Sequence, residues 1–240
     1  MHALISAELL RLRTVRSPRY VALGLLAVVA IVTATNVDPA AGGPASPAEL
    51  ADSLRSLALV GGVLFAGALA ATNVGTEFQR GSAAMTYLSH PHRGRVTAAR
   101  ALTYAGVGLV LAGLAAGVVF AVGVLVAGAG GVELDFSAVD VARLIAGTAS
   151  GGAVMGGAGA LLGTATRNAT IASAAFFGWN IAEVLVFPSG VRPYLPFSLV
   201  NSLIGASGHV PVPAAVGLLL GYLAALALLV RNWSLKRDLT

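Results

Sequence analysis

Few side chains in this sequence combine the types and spacing that chemistry requires. The most suggestive run is Gly205-Ala206-Ser207-Gly208-His209, a G-x-S-G of the kind that presents a serine nucleophile within a membrane. Nucleophilic catalysis needs a base on a separate element, within hydrogen-bond reach of the serine hydroxyl. Ser207 and His209 instead sit side by side in one polar link, so a glycine–serine turn accounts for the run. His90-Pro91-His92 offers two imidazoles flanking a proline, which is no metal site without further donors. Glu183 is the one acid inside an apolar run, where an ionisable group is by default a proton or substrate contact. The equal reading is an interfacial carboxylate that reaches water or hydrogen-bonds near Trp179 or Asn180. The sequence contains no G-x-x-x-x-G-K-[ST] phosphate loop, and its single lysine is Lys236. No cofactor or metal is expected in this chain, and any ATP and Mg would be bound by a partner chain. With no cysteine, disulfides and thiolate metal sites are excluded within the chain.

The elements that must carry these residues follow from composition. The 240 residues are 57% hydrophobic and only 10% charged, with mean hydropathy +0.84. Soluble domains carry about a quarter charged residues, and a membrane-spanning helix needs about 20 mostly apolar ones. The alternating ten-residue segments of a β-barrel are absent. The expected fold is therefore an all-α membrane protein with six spans, at 20–35, 54–74, 101–127, 141–166, 169–187 and 212–230. The first run is read as retained, because no A-x-A-type cleavage site follows it at the right place.

Residues 1–19 read as an amphipathic interfacial helix. Leu4, Ile5, Leu9, Leu12 and Val15 share a face, Arg11 and Arg13 flank it, and Glu8 falls inside it, within reach of Arg11. The link 188–209 carries Leu199, Val200, Leu203 and Ile204 at helical spacing after Pro196, the pattern of an outer re-entrant or capping helix. Glycines recur four apart at Gly113/Gly117, Gly147/Gly151, Gly152/Gly156, Gly159/Gly163 and Gly217/Gly221. That spacing allows close packing of helices within one bundle or across a subunit interface.

Orientation follows from the basic residues near span ends. With both termini in the cytoplasm, twelve of the fifteen Lys and Arg residues fall inside, and only Arg55, Arg143 and Arg192 fall outside. The net charge of +5 then reflects topology, and no nucleic-acid partner is expected. The longest polar interruption is 76–100, which carries Arg80, Arg93, Arg95 and Arg100 against the single acid Glu77. Its middle, 81–88, carries Met85, Tyr87 and Leu88 between polar flanks, side chains of the sort that fill a partner's groove, with a solvated loop as the alternative. Glu77 stands where the second span leaves the membrane, placed to lock this lever to Arg80 or to the N-terminal helix.

This order of elements resembles the permease subunits of ABC-2 type ABC exporters. The family's loop between spans two and three reads roughly E-[FY]-R-x-G-T, a short helix, then P-x-x-R and a basic residue. The corresponding residues here are Glu77, Phe78, Gln79, Arg80, Gly81 and Ser82, then Pro91, Arg93 and Arg100. Gln79 replaces a common basic residue, Ser82 replaces threonine, and Pro91-His92-Arg93 is compressed. Tyr194-Leu195-Pro196 resembles the start of the family's outer re-entrant element. The resemblance implies a cytoplasmic coupling helix docked on a separate ATPase dimer, a second permease chain, the plasma (inner) membrane, and outward movement of substrate. The scarcity of strongly polar residues in the spans points to a hydrophobic or amphiphilic cargo. Two alternatives stand beside this reading: an intramembrane hydrolase using Ser207 and His209, and a non-transporting membrane scaffold or sensor partner.

Overall fold

The computed structural model of the chain describes residues 16–44, 46–83, 87, 93–132, 136–206 and 209–236. Among the described residues there are helices and turns and no strand. We label the helices α1 (Arg16–Val37), α2 (Pro47–Gln79), α3 (Arg93–Ala129), α4 (Ala138–Thr166), α5 (Ala169–Leu185), α6 (Pro196–Leu203) and α7 (Val212–Lys236). Five of these, α1, α2, α3, α4 and α7, contain segments long and apolar enough to cross a membrane. Helix α5, with 17 residues, is apolar but shorter. These helices make the chain a multi-pass helical membrane protein.

Helix α2 starts well before the apolar run that announces it. Ser46 caps it by accepting from the Glu49 amide, and Pro47 occupies the first turn, where its missing N–H does no harm. Leu50, Leu54 and Ala58 then form a buried stripe at i, i+4, i+8. The residues 47–53 expected in the link are therefore helical. A π-helical turn, Leu59–Leu64, interrupts α2 and brings two glycines against neighbouring helices. A Cβ on Gly62 would lie 2.9 Å from Thr148 Cγ2 of α4 and 3.2 Å from the Ala112 carbonyl oxygen of α3.

Helix α2 ends at Gln79, with Gly81 at φ +73 in the left-handed conformation that suits glycine. Helix α3 begins at Arg93, so the polar interruption expected over 76–100 contracts to a connection over 80–92. Its last third is helical because Val96, Ala99 and Arg100 fall on one buried face. A Ser137–Asp140 capping box starts α4. Arg167, in the left-handed region at φ 54, ends it, and the Asn168 side chain caps α5 by accepting from the Ile171 amide.

Helix α4 is the hub, and its glycines explain why. Gly152 and Gly156 face α3, where a Cβ on Gly152 would come to 2.5 Å from the Gly108 carbonyl oxygen. Gly159 and Gly163 face Gly67 and Ala71 of α2, and Gly147 and Gly151 face Leu203 and Val200 of α6. Three of the expected glycine pairs thus serve packing within this chain, each against a different helix. Gly217 and Gly221 of α7 have nothing near them, and Gly113 makes only ordinary contact with Ala149.

The core divides along the bundle. Phe176, Phe197, Leu199, Val200, Leu203 and Leu219 belong to one cluster, which places α6 among α5, α4 and α7. Val29, Val37, Leu54, Ala116, Leu144 and Ile204 belong to another, under the link between α1 and α2. Contacts separate the two ends of the bundle. At one, Gly130 approaches Pro39, Arg55 stacks over Phe136, and Gly205 approaches Arg143. At the other, Arg80, Arg95, Arg100, Arg167 and Arg231 gather with Glu77.

Candidate functional site

The arginine-rich end contains a buried charged cluster built by three connected segments. Glu77 lies in the last turn of α2, and Arg100 lies two turns into α3. Both are nearly fully buried, with 2.8 Å between Arg100 Nη2 and Glu77 Oε2. An ion pair this deep survives only with further compensation, because removing two charges from water is costly. Part of that compensation is aromatic. The Arg100 guanidinium sits 5.7 Å from the Phe78 ring centroid and 5.5 Å from that of Tyr87. Stacking of this kind suits a planar, weakly hydrated cation.

The Tyr87 and Phe78 rings pack at a 35° tilt with centroids 6.0 Å apart, and the Tyr87 hydroxyl lies 3.4 Å from Thr97 Oγ1 of α3. Ala83, Tyr87 and Val96 form a small apolar cluster over Phe78. The connection is also tied to α2 through the Ser82 hydroxyl, which donates to the Glu77 carbonyl. Arg167 of the α4–α5 turn lies over Phe78 at 5.9 Å, and Gln79 Oε1 accepts from the Ala169 amide at 3.4 Å. Phe78 thus neighbours two guanidinium groups, and the cluster joins α2, the connection, α3 and the α4–α5 turn.

This geometry corrects one expectation and adds to another. Tyr87, expected to be exposed as a docking anchor, is 7% exposed and turned inward, because its ring covers Arg100. Glu77, expected to lock onto Arg80 or the N-terminal helix, pairs with Arg100, and residues 1–15 of that N-terminal helix lie outside the described residues. Arg80 is exposed, and so are Gly81 and Ser82. Met85, Leu88, Pro91 and the N-terminal Glu8, Arg11 and Arg13 lie outside the described residues, and Arg93 is the first residue of α3.

Thr97, Arg167 and Gln79 belong to the cluster without standing out in the sequence. A signal for the first exists: Val96, Thr97, Ala99, Arg100 and Thr103 repeat at helical spacing across the start of the apolar run. Arg167 reads in sequence only as a topological charge.

The second candidate region is a cap. Glu183 Oε2 and Oε1 accept from the backbone amides of Phe197 at 3.2 Å and Ser198 at 2.6 Å. Those amides are orphan donors of the first turn of α6, and the helix dipole favours a carboxylate there. Glu183 is 1% exposed, so the carboxylate is engaged by α6 rather than by water. Asn180, one turn earlier, is half-buried. Arg192 reinforces the same link by donating to the Val184 carbonyl.

The hydroxyl of Ser198 lies against the Glu183 carboxylate, but this carboxylate also accepts the amides of Phe197 and Ser198. Ser207 lies outside the described residues and His209 is exposed. Among the described residues, no three His, Cys, Asp or Glu side chains gather as metal ligands do. Both regions bolt a connecting segment to neighbouring helices. No family model matches the chain, and no curated protein matches it.

Proposed function

We propose that the chain is the membrane permease subunit of an ATP-driven ABC-2 type exporter, moving a hydrophobic or amphiphilic substrate outward. The observation that carries this reading is the Glu77–Arg100–Tyr87 cluster. It ties Ser82, Ala83 and Tyr87 of this connection to α2 and α3, so that a push delivered there is passed to α2, α3 and the α4–α5 turn together. A connection with no driving partner would gain little from burying two charges beneath it.

In this reading α5 is the fifth of six spans, α6 is the outer capping helix, and both termini are cytoplasmic in the plasma (inner) membrane. The basic end faces the cytoplasm, as the distribution of arginines favours. A dimer of separate ATPase subunits supplies ATP hydrolysis. A second permease chain completes the pathway, and this chain contributes no catalytic residue. The exposed residues Arg80 and Ser82 meet the ATPase, while Tyr87 transmits the motion inward.

Purification of the protein from its native membrane tests this reading. An ATP-hydrolysing subunit is expected to accompany it, and Arg80→Glu, a surface change, is expected to release that subunit while the permease remains folded. A preparation with no ATPase, from membranes in which the protein is functional, would sink the proposal. So would an ATPase that binds Arg80→Glu as tightly as the wild type.

A further inference from the structure

The geometry points to a binding site for an anionic phospholipid in the groove between α3 and α7. A cavity of about 820 Å³ opens there, and its lining is overwhelmingly apolar. Helices α3 and α7 touch only lightly, because both rest on α4 at Gly157 and Leu161 rather than on each other. A Cβ on Gly157 would lie 3.4 Å from Leu223 of α7 and 3.5 Å from the Ala101 carbonyl of α3. Ala98 and Ala101 leave one wall shallow, while Leu220 and Leu223 form the other and Leu161 forms the floor.

The groove has a charged end. Arg95, early in α3, and Arg231, late in α7, both line it, and the antiparallel helices bring them to the arginine-rich end. At a rise of about 1.5 Å per residue, Leu220 to Arg231 spans roughly 16 Å. That is about half of a hydrocarbon core roughly 30 Å thick, the depth of one leaflet. An acyl chain can therefore lie along the leucines while its phosphate meets two guanidinium groups, whose planar forks match phosphate oxygens. Basic pockets between membrane helices hold anionic headgroups by this means.

Charge selects this occupant over a second copy of the chain. A copy related by an axis along the membrane normal would bring like ends together and set arginines against arginines. The inference needs only that the helices are embedded in a bilayer, and it stands apart from any ATPase partnership.

The test uses the full chain in nanodiscs of phosphatidylcholine with about one-fifth phosphatidylglycerol, followed by native mass spectrometry of the retained lipid. Wild-type protein is expected to retain one phosphatidylglycerol in preference to phosphatidylcholine. Arg95→Gln/Arg231→Gln is expected to lose that preference by about tenfold. Ala98→Phe, which fills the groove and keeps both arginines, is expected to expel the lipid, and Arg80→Gln is expected to retain it. Equal retention of the two lipids by wild type would overturn the inference. It would fall equally if Arg80→Gln lost the preference as fully as the double variant, since diffuse surface charge would then suffice. Disulfide formation between two copies of a Leu102→Cys variant that excluded the lipid would assign the groove to a second chain and also overturn it.

Discussion

Glu183 and Ser198 are joined by a 2.6 Å hydrogen bond in which the carboxylate of α5 receives the backbone amide of α6. With the Phe197 amide on the other oxygen, this side chain closes the N-terminus of a helix whose own first residues provide no side-chain cap. A buried acid in a membrane helix usually suggests a proton path. Here its two oxygens are engaged in holding an eight-residue helix that α4, α5 and α7 surround.

Replacing Glu183 by alanine should therefore destabilise the protein by about 1–3 kcal/mol, since the buried Phe197 amide and the part-buried Ser198 amide lose their acceptor. Gln should recover part of this, because its carbonyl oxygen still accepts one bond. Thermal unfolding in detergent measures both. If Glu183→Gln abolished transport while unfolding at the wild-type temperature, the residue would be part of a proton or substrate path instead.

The Glu77–Arg100 pair leads to a sign test. Removing one partner should cost about 3–5 kcal/mol, because a buried charge is left without its counter-ion. Glu77→Leu/Arg100→Met together should be far milder than either single change. A double-mutant cycle by thermal unfolding reads the coupling directly. Additive losses would mean that the two charges do not depend on each other.

The same pair marks where the sequence stops being legible. Long apolar runs announce α1, α3, α4 and α7 because a bilayer forces apolarity on every face of a spanning helix. Gly152 and Gly156 announce a close approach by spacing alone, although not toward which helix. Arg100 looks like Arg80 or Arg95 in sequence, a charge at the edge of an apolar run. Its burial depends on Glu77, Phe78 and Tyr87 arriving from other segments, which no local pattern encodes. The start of α2 is legible but easily overlooked. Ser46-Pro47-Ala48-Glu49 has the residue types of a helix N-terminus, yet its polarity hides it beside the apolar run that follows.

Glycines at the hub and glycines on α7 should respond oppositely to alanine. Gly108→Ala places a methyl group against the backbone of Gly152 and should destabilise the α3–α4 contact by about 1–3 kcal/mol, as overpacking does. Gly217→Ala and Gly221→Ala meet open space and should leave unfolding of the monomer unchanged. A loss of oligomer in the α7 variants, with monomer stability intact, would identify that face as an interface between subunits.

Whether α5 crosses the bilayer decides between five and six spans, and the chain offers a clean means of asking. It has no cysteine, so single cysteines can be read without background. Helix α5 has 17 residues and is roughly 26 Å long, slightly less than a hydrocarbon core of about 30 Å. Crossing therefore requires a modest local thinning of the bilayer, or a contribution from Val186 and Phe187. Thr170 and Ser189 are exposed and flank the helix at opposite ends, while Arg80 and Asp52 mark the two ends of α2. In intact cells, an impermeant thiol reagent should label Asp52→Cys and Ser189→Cys, and it should reach Arg80→Cys and Thr170→Cys only after the membrane is opened. Labelling of Thr170→Cys and Ser189→Cys from the same side would show that α5 does not span. The α7 helix would then enter from the other face, and its arginine-rich end would have to part from that of α3, against the shared groove that Arg95 and Arg231 line.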